Sequence, residues 1–319
     1  MYDNLEVFIT TCNRAEMFKE TLVSICDQSA KGFDIIIVDN ASSDNTKEVV
    51  EEIKKQYPTR NIIFKSFEEN IGGTNNLNRA RLMAKKEWAM LFHDDDLMHP
   101  EYIKNAMDLL RQNPDAVMAS CTYTALENPD STNWEKFSKN AGTGVYIADV
   151  KGFAAVMFGL VTHNFASTIY KSEQLKNHEF KSDIYGKMWD RPFMLDIASH
   201  GKTIILKDPY IRYRLHPGQD TGTTETGPYA VEWFALMNCY KGILGDGWVD
   251  KYGIIYNSFV HSQLRLGYHW MQSVKSKMKF KEFKIKAAES GVIRKFEVFK
   301  IFELISNFTS SVCKKILYS

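Results

Sequence analysis

The stretch Phe33-Asp34-Ile35-Ile36-Ile37-Val38-Asp39-Asn40-Ala41-Ser42-Ser43-Asp44 sets a β-branched run directly before a polar turn. A short continuous apolar run bounded by turn residues reads as a strand buried on both faces. Asp44 or Asn45 then caps a helix to about Gln56, with Val49, Val50 and Ile53 as its buried stripe. Upstream, Leu5–Thr11 is a strand, and Asn13 with Glu16 makes an N-cap pairing for a helix reaching about Gln28. Downstream, Asn61–Phe67 is a third strand and Leu77–Ala84 lies in a third helix. Trp88–Phe92 is a fourth strand, His93-Asp94-Asp95-Asp96 follows it, and Pro100 opens a fourth helix.

Alternating strands and helices of this kind predict an α/β fold, a mostly parallel sheet flanked by helices. Ligands of such sheets bind beyond the carboxyl ends of the strands. Thr11–Arg14, Asp39–Asp44 and His93–Asp96 each follow a strand directly, so they are expected to converge on one edge. Beyond about residue 115 the pattern loosens. Val117–Tyr123, Ser167–Tyr170, Thr203–Leu206 and Tyr210–Leu215 read as strands, and Phe193–His200 as part of a helix. From about Glu225 the chain reads as helical, aromatic and finally basic. The expected division is a catalytic domain over 1–225, with halves at about 1–115 and 116–225, and an extension over 226–319.

Of the 319 residues, 44% are hydrophobic and 25% charged, which fits a globular protein and excludes a disordered or multi-span membrane chain. The net charge of +1 gives no pull towards nucleic acid. The charge is unevenly spread, because Lys275–Ser319 holds 11 basic against 4 acidic residues. Five scattered cysteines without a Cys-x-x-Cys pair argue against a disulfide framework or a zinc site and fit a reducing cytoplasm. No signal-peptide pattern opens the sequence, and Gly152–Tyr170 is too often interrupted by polar residues to span a bilayer.

Neither a G-x-G-x-x-G nor a G-x-x-x-x-G-K-[ST] loop follows the first strand, so dinucleotide and P-loop chemistry are disfavoured. Asp39, at a strand end, is placed to accept hydrogen bonds from a base or ribose, or to cap its own turn. The adjacent carboxylates of Asp94, Asp95 and Asp96 repel one another unless a cation or hydrogen-bond donors compensate. Oxygen ligation suits Mg2+ or Mn2+ held together with substrate phosphates, whereas the bland reading is a solvated turn before a helix.

Taken together, Val7–Arg14, Ile35–Asp44, Asn70-Ile71-Gly72-Gly73 with Asn78, and His93–Asp96 resemble the family 2 glycosyltransferases of GT-A fold. The resemblance covers about the first 115 residues in order and spacing. It implies a nucleotide-sugar donor, a divalent cation (Mn2+ or Mg2+) and inversion at the anomeric carbon. By position, Thr11, Asn13, Arg14 and Asp39 would hold the nucleoside, while Asn70, Gly72, Gly73 and Asn78 flank the nucleotide. Asp94 would also face the nucleotide sugar, and Asp95 takes the metal position. His93 stands where the family's D-x-D pattern opens, leaving the second ligand among Asp94, Asp96 and water. Thr10 and Cys12 replace the usual proline and tyrosine.

Two later segments extend the resemblance. Trp189-Asp190-Arg191-Pro192-Phe193 is similar to the family's acidic element at a helix head, with Asp190 as general base. The bland reading is that Asp190 caps the helix, and Asp183 and Asp196 are its rivals for the role. Arg212-Tyr213-Arg214-Leu215-His216 is similar to the segment that places a histidine near metal and diphosphate. This makes His216 a candidate ligand and Arg212 or Arg214 a candidate phosphate partner, against a purely structural role.

Phe299, Phe302, Ile305, Phe308, Val312 and Ile316 form an apolar helical stripe beside several lysines. Such a segment fits either peripheral binding to an anionic membrane or docking on its own domain. The resulting expectation is a cytoplasmic glycosyltransferase, peripheral on the inner face of the plasma membrane, that extends a glycan or lipid-linked acceptor. The alternatives are a non-catalytic nucleotide-sugar or glycan-binding protein of the same fold, or a nucleotidyltransferase.

Overall fold

The structure is a computed structural model that describes residues 1–126, 144–158, 163–216 and 229–245. They fall into two compact units. The first takes in Met1–Phe153, Val161–Phe180 and Phe193–Pro217. The second, among the described residues, takes in 154–158, 181–192 and 229–245. The boundary expected near residue 225 and the basic tail lie outside the described residues.

The first unit is built on a mixed, mostly parallel sheet flanked by helices. Its opening strands β1 (Leu5–Thr11), β2 (Asp34–Asp39), β3 (Asn61–Ser66) and β4 (Trp88–His93) lie side by side in the order β3-β2-β1-β4. All three pairings are parallel, with Thr11 opposite Asp39 and Thr10 opposite His93. Leu5, Val7, Ile9, Ile35, Ile37, Met90 and Phe92 point into one continuous core. Helices α1 (Ala15–Cys26), α2 (Thr46–Gln56) and α4 (Tyr102–Gln112) close it with Phe18, Leu22, Val50, Ile53, Tyr102, Ile103 and Met107. Helix α3 (Gly73–Leu82) also packs against β1 and β4. The order of the strands reverses direction between β1 and β4, and a crevice at such a switch point is where open α/β sheets bind ligands.

The sheet continues through β8 (His163–Lys171), β6 (Ala116–Leu126), β9 (Lys202–Arg214) and the short β5 (Leu97–Met98), while β7 (Val145–Ala148) pairs with β9. Here β6 runs parallel to β9, but β8 is antiparallel to both β4 and β6. The two strands expected at Thr203–Leu206 and Tyr210–Leu215 are one strand, β9, ending at Arg214. The break in the apolar pattern is Pro209, which has no N–H for the ladder, and the strand passes it with a register shift around Thr122. Pro100 sits in the turn before α4 rather than at its first residue, and α1 stops at Cys26. Helix α5 (Val150–Phe158) follows β7, and α6 (Ser172–Asn177) follows β8.

The second unit holds α7 (Ser182–Tyr185), a 3-10 turn (Gly186–Met188), the start of α8 (Asp190–Ala198) and α9 (Tyr229–Leu244). Gly186, at φ +53°, lies so close to α9 that a Cβ there would come within 2.9 Å of Glu232 Oε1. The left-handed conformation calls for glycine, while the flexible Glu232 side chain could move aside. Among the described residues, no helix is long and apolar enough to cross a membrane.

Candidate active site

The loops after β1 and β2 are stitched together by short polar side chains. Asn13 and Ala41 both adopt left-handed backbone, at φ 54° and 61°. The Asn13 amide donates to Ser42 Oγ at 2.9 Å, and its side-chain oxygen accepts from the Ser43 amide at 2.7 Å. Asn13 therefore does not cap α1, as its spacing to Glu16 predicts. The cap comes from the neighbouring loop, where Asp44 accepts from the Ala15 amide at 3.0 Å and from the Thr46 amide at 3.1 Å. One carboxylate thus serves the first turns of α1 and α2. Burial alone would push Asp44 up, but the Thr46 hydroxyl and these amides outweigh it and hold the carboxyl below its ordinary value.

Asp39 is buried at the end of β2, accepting from the Ser66 hydroxyl at 2.8 Å and the Ser42 amide at 3.2 Å. Asp39 therefore caps its own turn, at the strand end opposite Thr11. Asn40 reaches into the loop before α3, donating to Asn70 Oδ1 at 2.7 Å and accepting from the Ile71 amide at 3.1 Å. Asn70 Oδ1 also takes the Gly72 amide at 2.9 Å. Gly72 has φ +83°, a conformation glycine adopts without strain, and Gly73 begins α3. Asn78 lies farther along α3, where its oxygen accepts Arg81 Nε at 2.6 Å. It is Asn76, which sequence reading did not single out, that is buried and donates to the β2 carbonyl of Val38 at 3.0 Å.

At the end of β4, Arg14 Nη1 lies 3.1 Å from both Asp94 Oδ1 and Asp95 Oδ2, and Thr11 is buried beside it at the end of β1. His216 Nε2 is also 3.1 Å from Asp95 Oδ2, so Arg14 and His216 meet at the same carboxylate oxygen. Arg214 locks the loop from beneath. Its guanidinium donates to the Asp95 carbonyl, the Glu20 carboxylate, the Met17 carbonyl and Thr21 Oγ1, while its amide donates to Asp96 Oδ1 at 3.2 Å. The buried Thr21 hydroxyl lies 2.9 Å from the carbonyls of both Asp94 and Asp96. Arg214 is therefore a structural clamp, and its expected role at a phosphate is replaced by this one.

The three carboxylates are pulled apart electrostatically. Burial, then the charge of Asp95, push Asp94 up against the opposing pull of Arg14. Burial and the neighbouring Asp95 push Asp96 up to about 7. Burial would raise Asp95 too, but His93, His216 and Arg14 outweigh it and keep that carboxyl below its usual value. Asp95 Oδ1 and Asp96 Oδ2 are buried and accept no hydrogen bond from the described residues. His93, Asp95 and Asp96 each offer one ligand atom, and these three atoms all lie within 4.8 Å of one another. Orphaned carboxylate oxygens are costly, and a divalent cation satisfies them, so the donor set fits Mn2+ or Mg2+. His93 is the member that sequence reading left aside. Its signal was present, since His93 and Asp95 keep the two-residue spacing of the D-x-D pattern.

Asp190 is the first residue of α8 and lies in the second unit with Arg191. Of its rivals, Asp183 is exposed in α7 and Asp196 lies farther along α8.

This fold and loop arrangement define a GT-A protein. The family model described as "Glycosyl transferase family 2" matches residues 6–166, and the chain belongs to that family. It is 27% identical over 182 residues to a Campylobacter jejuni protein named GalNAc(5)-diNAcBac-PP-undecaprenol beta-1,3-glucosyltransferase. That match covers 57% of this chain and 56% of the relative, so the chain spans just over half the length of that protein. Among solved structures, S. aureus TarS 1-349 in complex with UDP-GlcNAc superimposes with a TM-score of 0.60 at 16% identity. The superposition covers 92% of this chain and 94% of that one. A mannosyltransferase from Pyrobaculum calidifontis in complex with GDP-Man and Mn2+ gives a TM-score of 0.50 at 15% identity, covering 99% and 86%.

Proposed function

We propose that the protein is an inverting glycosyltransferase that moves a sugar from a nucleoside diphosphate, UDP in our reading, to a hydroxyl of a glycan or lipid-linked acceptor. The observation that carries this is the pair of orphaned buried oxygens of Asp95 and Asp96 beside His93, at the β1–β4 switch point of a family 2 chain. Asp95, Asp96 and His93 would hold the cation, with His216 orienting Asp95 through its Oδ2. Such a cation supplies Lewis-acid stabilisation of the departing diphosphate. Asp39 and Thr11 would take the base and ribose, the Asn70–Gly73 loop with Asn78 on α3 would flank the nucleotide, and Arg14 and Asp94 would face the diphosphate sugar. Asp190 would accept the proton of the attacking hydroxyl.

The printed name of the C. jejuni relative supports a polyprenyl-diphosphate-linked acceptor. The surplus of seven positive charges in Lys275–Ser319 supports a cytoplasmic chain working against an anionic membrane, although that segment lies outside the described residues.

The test is a panel of nucleotide sugars with Mn2+, scored by release of nucleoside diphosphate, on the full chain and on Asp190→Asn. Asn keeps the size and capping ability of Asp but takes no proton near neutral pH. The variant should bind donor normally and lose about 10²–10⁴ in kcat. An unchanged kcat would move the base to Asp183 or Asp196, and binding without turnover across the panel would favour a non-catalytic nucleotide-sugar-binding protein.

A further inference from the structure

His178 and His200 take no part in the site described above. His178 follows α6 and His200 lies two residues beyond α8, yet their Nε2 atoms are 3.1 Å apart. The rings are steeply inclined, at 67° with centroids 4.9 Å apart, so they meet edge-on rather than stacking. His178 Nδ1 is 2.8 Å from the Gln174 carbonyl oxygen. A carbonyl only accepts, so Nδ1 carries the proton of the neutral ring and Nε2 presents its lone pair towards His200.

Both backbones are held. Arg81 Nη1 donates to the carbonyls of Leu175 and Lys176, at 3.2 and 2.6 Å, and so fixes the end of α6. Phe180 and Phe193 pack edge to face with centroids 4.8 Å apart, joining the His178 segment to α8. The His200 amide is tied to the Ile197 carbonyl at 3.0 Å. The two imidazoles are therefore presented together by packed structure.

We propose that His178 and His200 form a two-imidazole site for a first-row transition-metal ion of the Zn2+ class, distinct from the acid loop, that cross-links α6 to the end of α8. Two nitrogens bound to one tetrahedral zinc at 2.0–2.1 Å lie about 3.3 Å apart, a few tenths of an ångström from the separation found here. Neutral imidazole suits Zn2+, Cu2+ and Ni2+ better than Mg2+, which prefers oxygen. The Nδ1 contact to a backbone carbonyl is the outer-shell arrangement that orients metal-bound histidines and raises their basicity. With two protein ligands, water completes the coordination and the site stays open. Because α8 begins at Asp190, occupancy would pin the far end of the helix on which the proposed base sits.

The test is equilibrium dialysis of the full chain against Zn2+ in an Asp95→Ala background, which disables the acid loop as a competitor. The parent should bind one equivalent that His178→Gln and His200→Gln each weaken by at least about 10–100-fold, no less than losing an outer-shell partner costs. Zn2+ should raise the Tm of the parent and leave that of either variant unmoved, while all three share one circular-dichroism spectrum and one Tm without metal. Zn2+ bound equally by parent and both variants, or no Zn2+ bound by the parent, overturns the proposal and leaves a histidine-to-histidine hydrogen bond in its place. If one glutamine variant unfolds, the other decides the outcome by the same readings.

Discussion

The two halves of the sheet differ in how they spend their residues. In β3-β2-β1-β4 every pairing is parallel, and β1, β2 and β4 are almost wholly buried. Each of those three strands ends in a polar loop at the same edge. In the half built from β8, β6, β9 and β7, parallel and antiparallel pairings mix and the register slips more than once along β6. Its outer strand β7 leaves Val145, Tyr146 and Ile147 at 46%, 42% and 44% exposure. The parallel half supplies the carboxylates of Asp94, Asp95 and Asp96. The mixed half reaches across to fix them, since Arg214 at the end of β9 holds the acid loop against α1.

The sharpest way to break that division is Arg214→Met. It leaves the buried Thr21 hydroxyl and the carbonyls of Asp95 and Met17 without their shared donor, whereas the Glu20 side chain is 58% exposed and is rehydrated. Leaving a buried acceptor unsatisfied costs about 1–3 kcal/mol, and urea denaturation should show a loss in that range. A loss below about 1 kcal/mol, the worth of an exposed pair, would mean that the mixed half does not clamp the loop.

Asp44→Ala tests the parallel half by itself. Losing a cap costs about 0.5–2 kcal/mol, and Asp44 serves two helices, so the upper end is expected at neutral pH. Its carboxyl sits below its ordinary value in the folded chain. The contribution is therefore complete above the unfolded pKa of about 4 and fades as pH falls through the lower folded value. The difference between wild type and Asp44→Ala in denaturation experiments should shrink as the pH is taken below about 4. Smallest of all, Tyr146→Thr on the outer strand should stay within about 0.5 kcal/mol in thermal melts. A larger loss would place β7 among the elements that support the site.

The same contrast explains what could be read from the residues alone. Ile35–Val38 and Met90–Phe92 are continuous apolar runs, so their strands and polar ends were legible one segment at a time. Pro209 hid the continuity of β9, because a proline inside a strand reads as its end. The capping of α1 by Asp44, 29 residues away, is invisible to a pattern that looks three residues ahead. Arg214 meets Glu20 across 194 residues, and such a contact follows from topology, not from local spacing. His93 was legible as the first member of an H-x-D pattern, but only its approach to Asp95 and Asp96 in the folded loop makes it a donor in the set.

The central claim is that the acid loop binds the cation which makes transfer possible. It is tested most directly by titrating Mn2+ into the transfer assay with wild type and Asp95→Ala side by side. We expect the variant to keep the wild-type melting curve, to lose at least about 10²–10³ in turnover, and to stop responding to Mn2+. A variant that turns over at the wild-type rate in limiting Mn2+ would contradict the account.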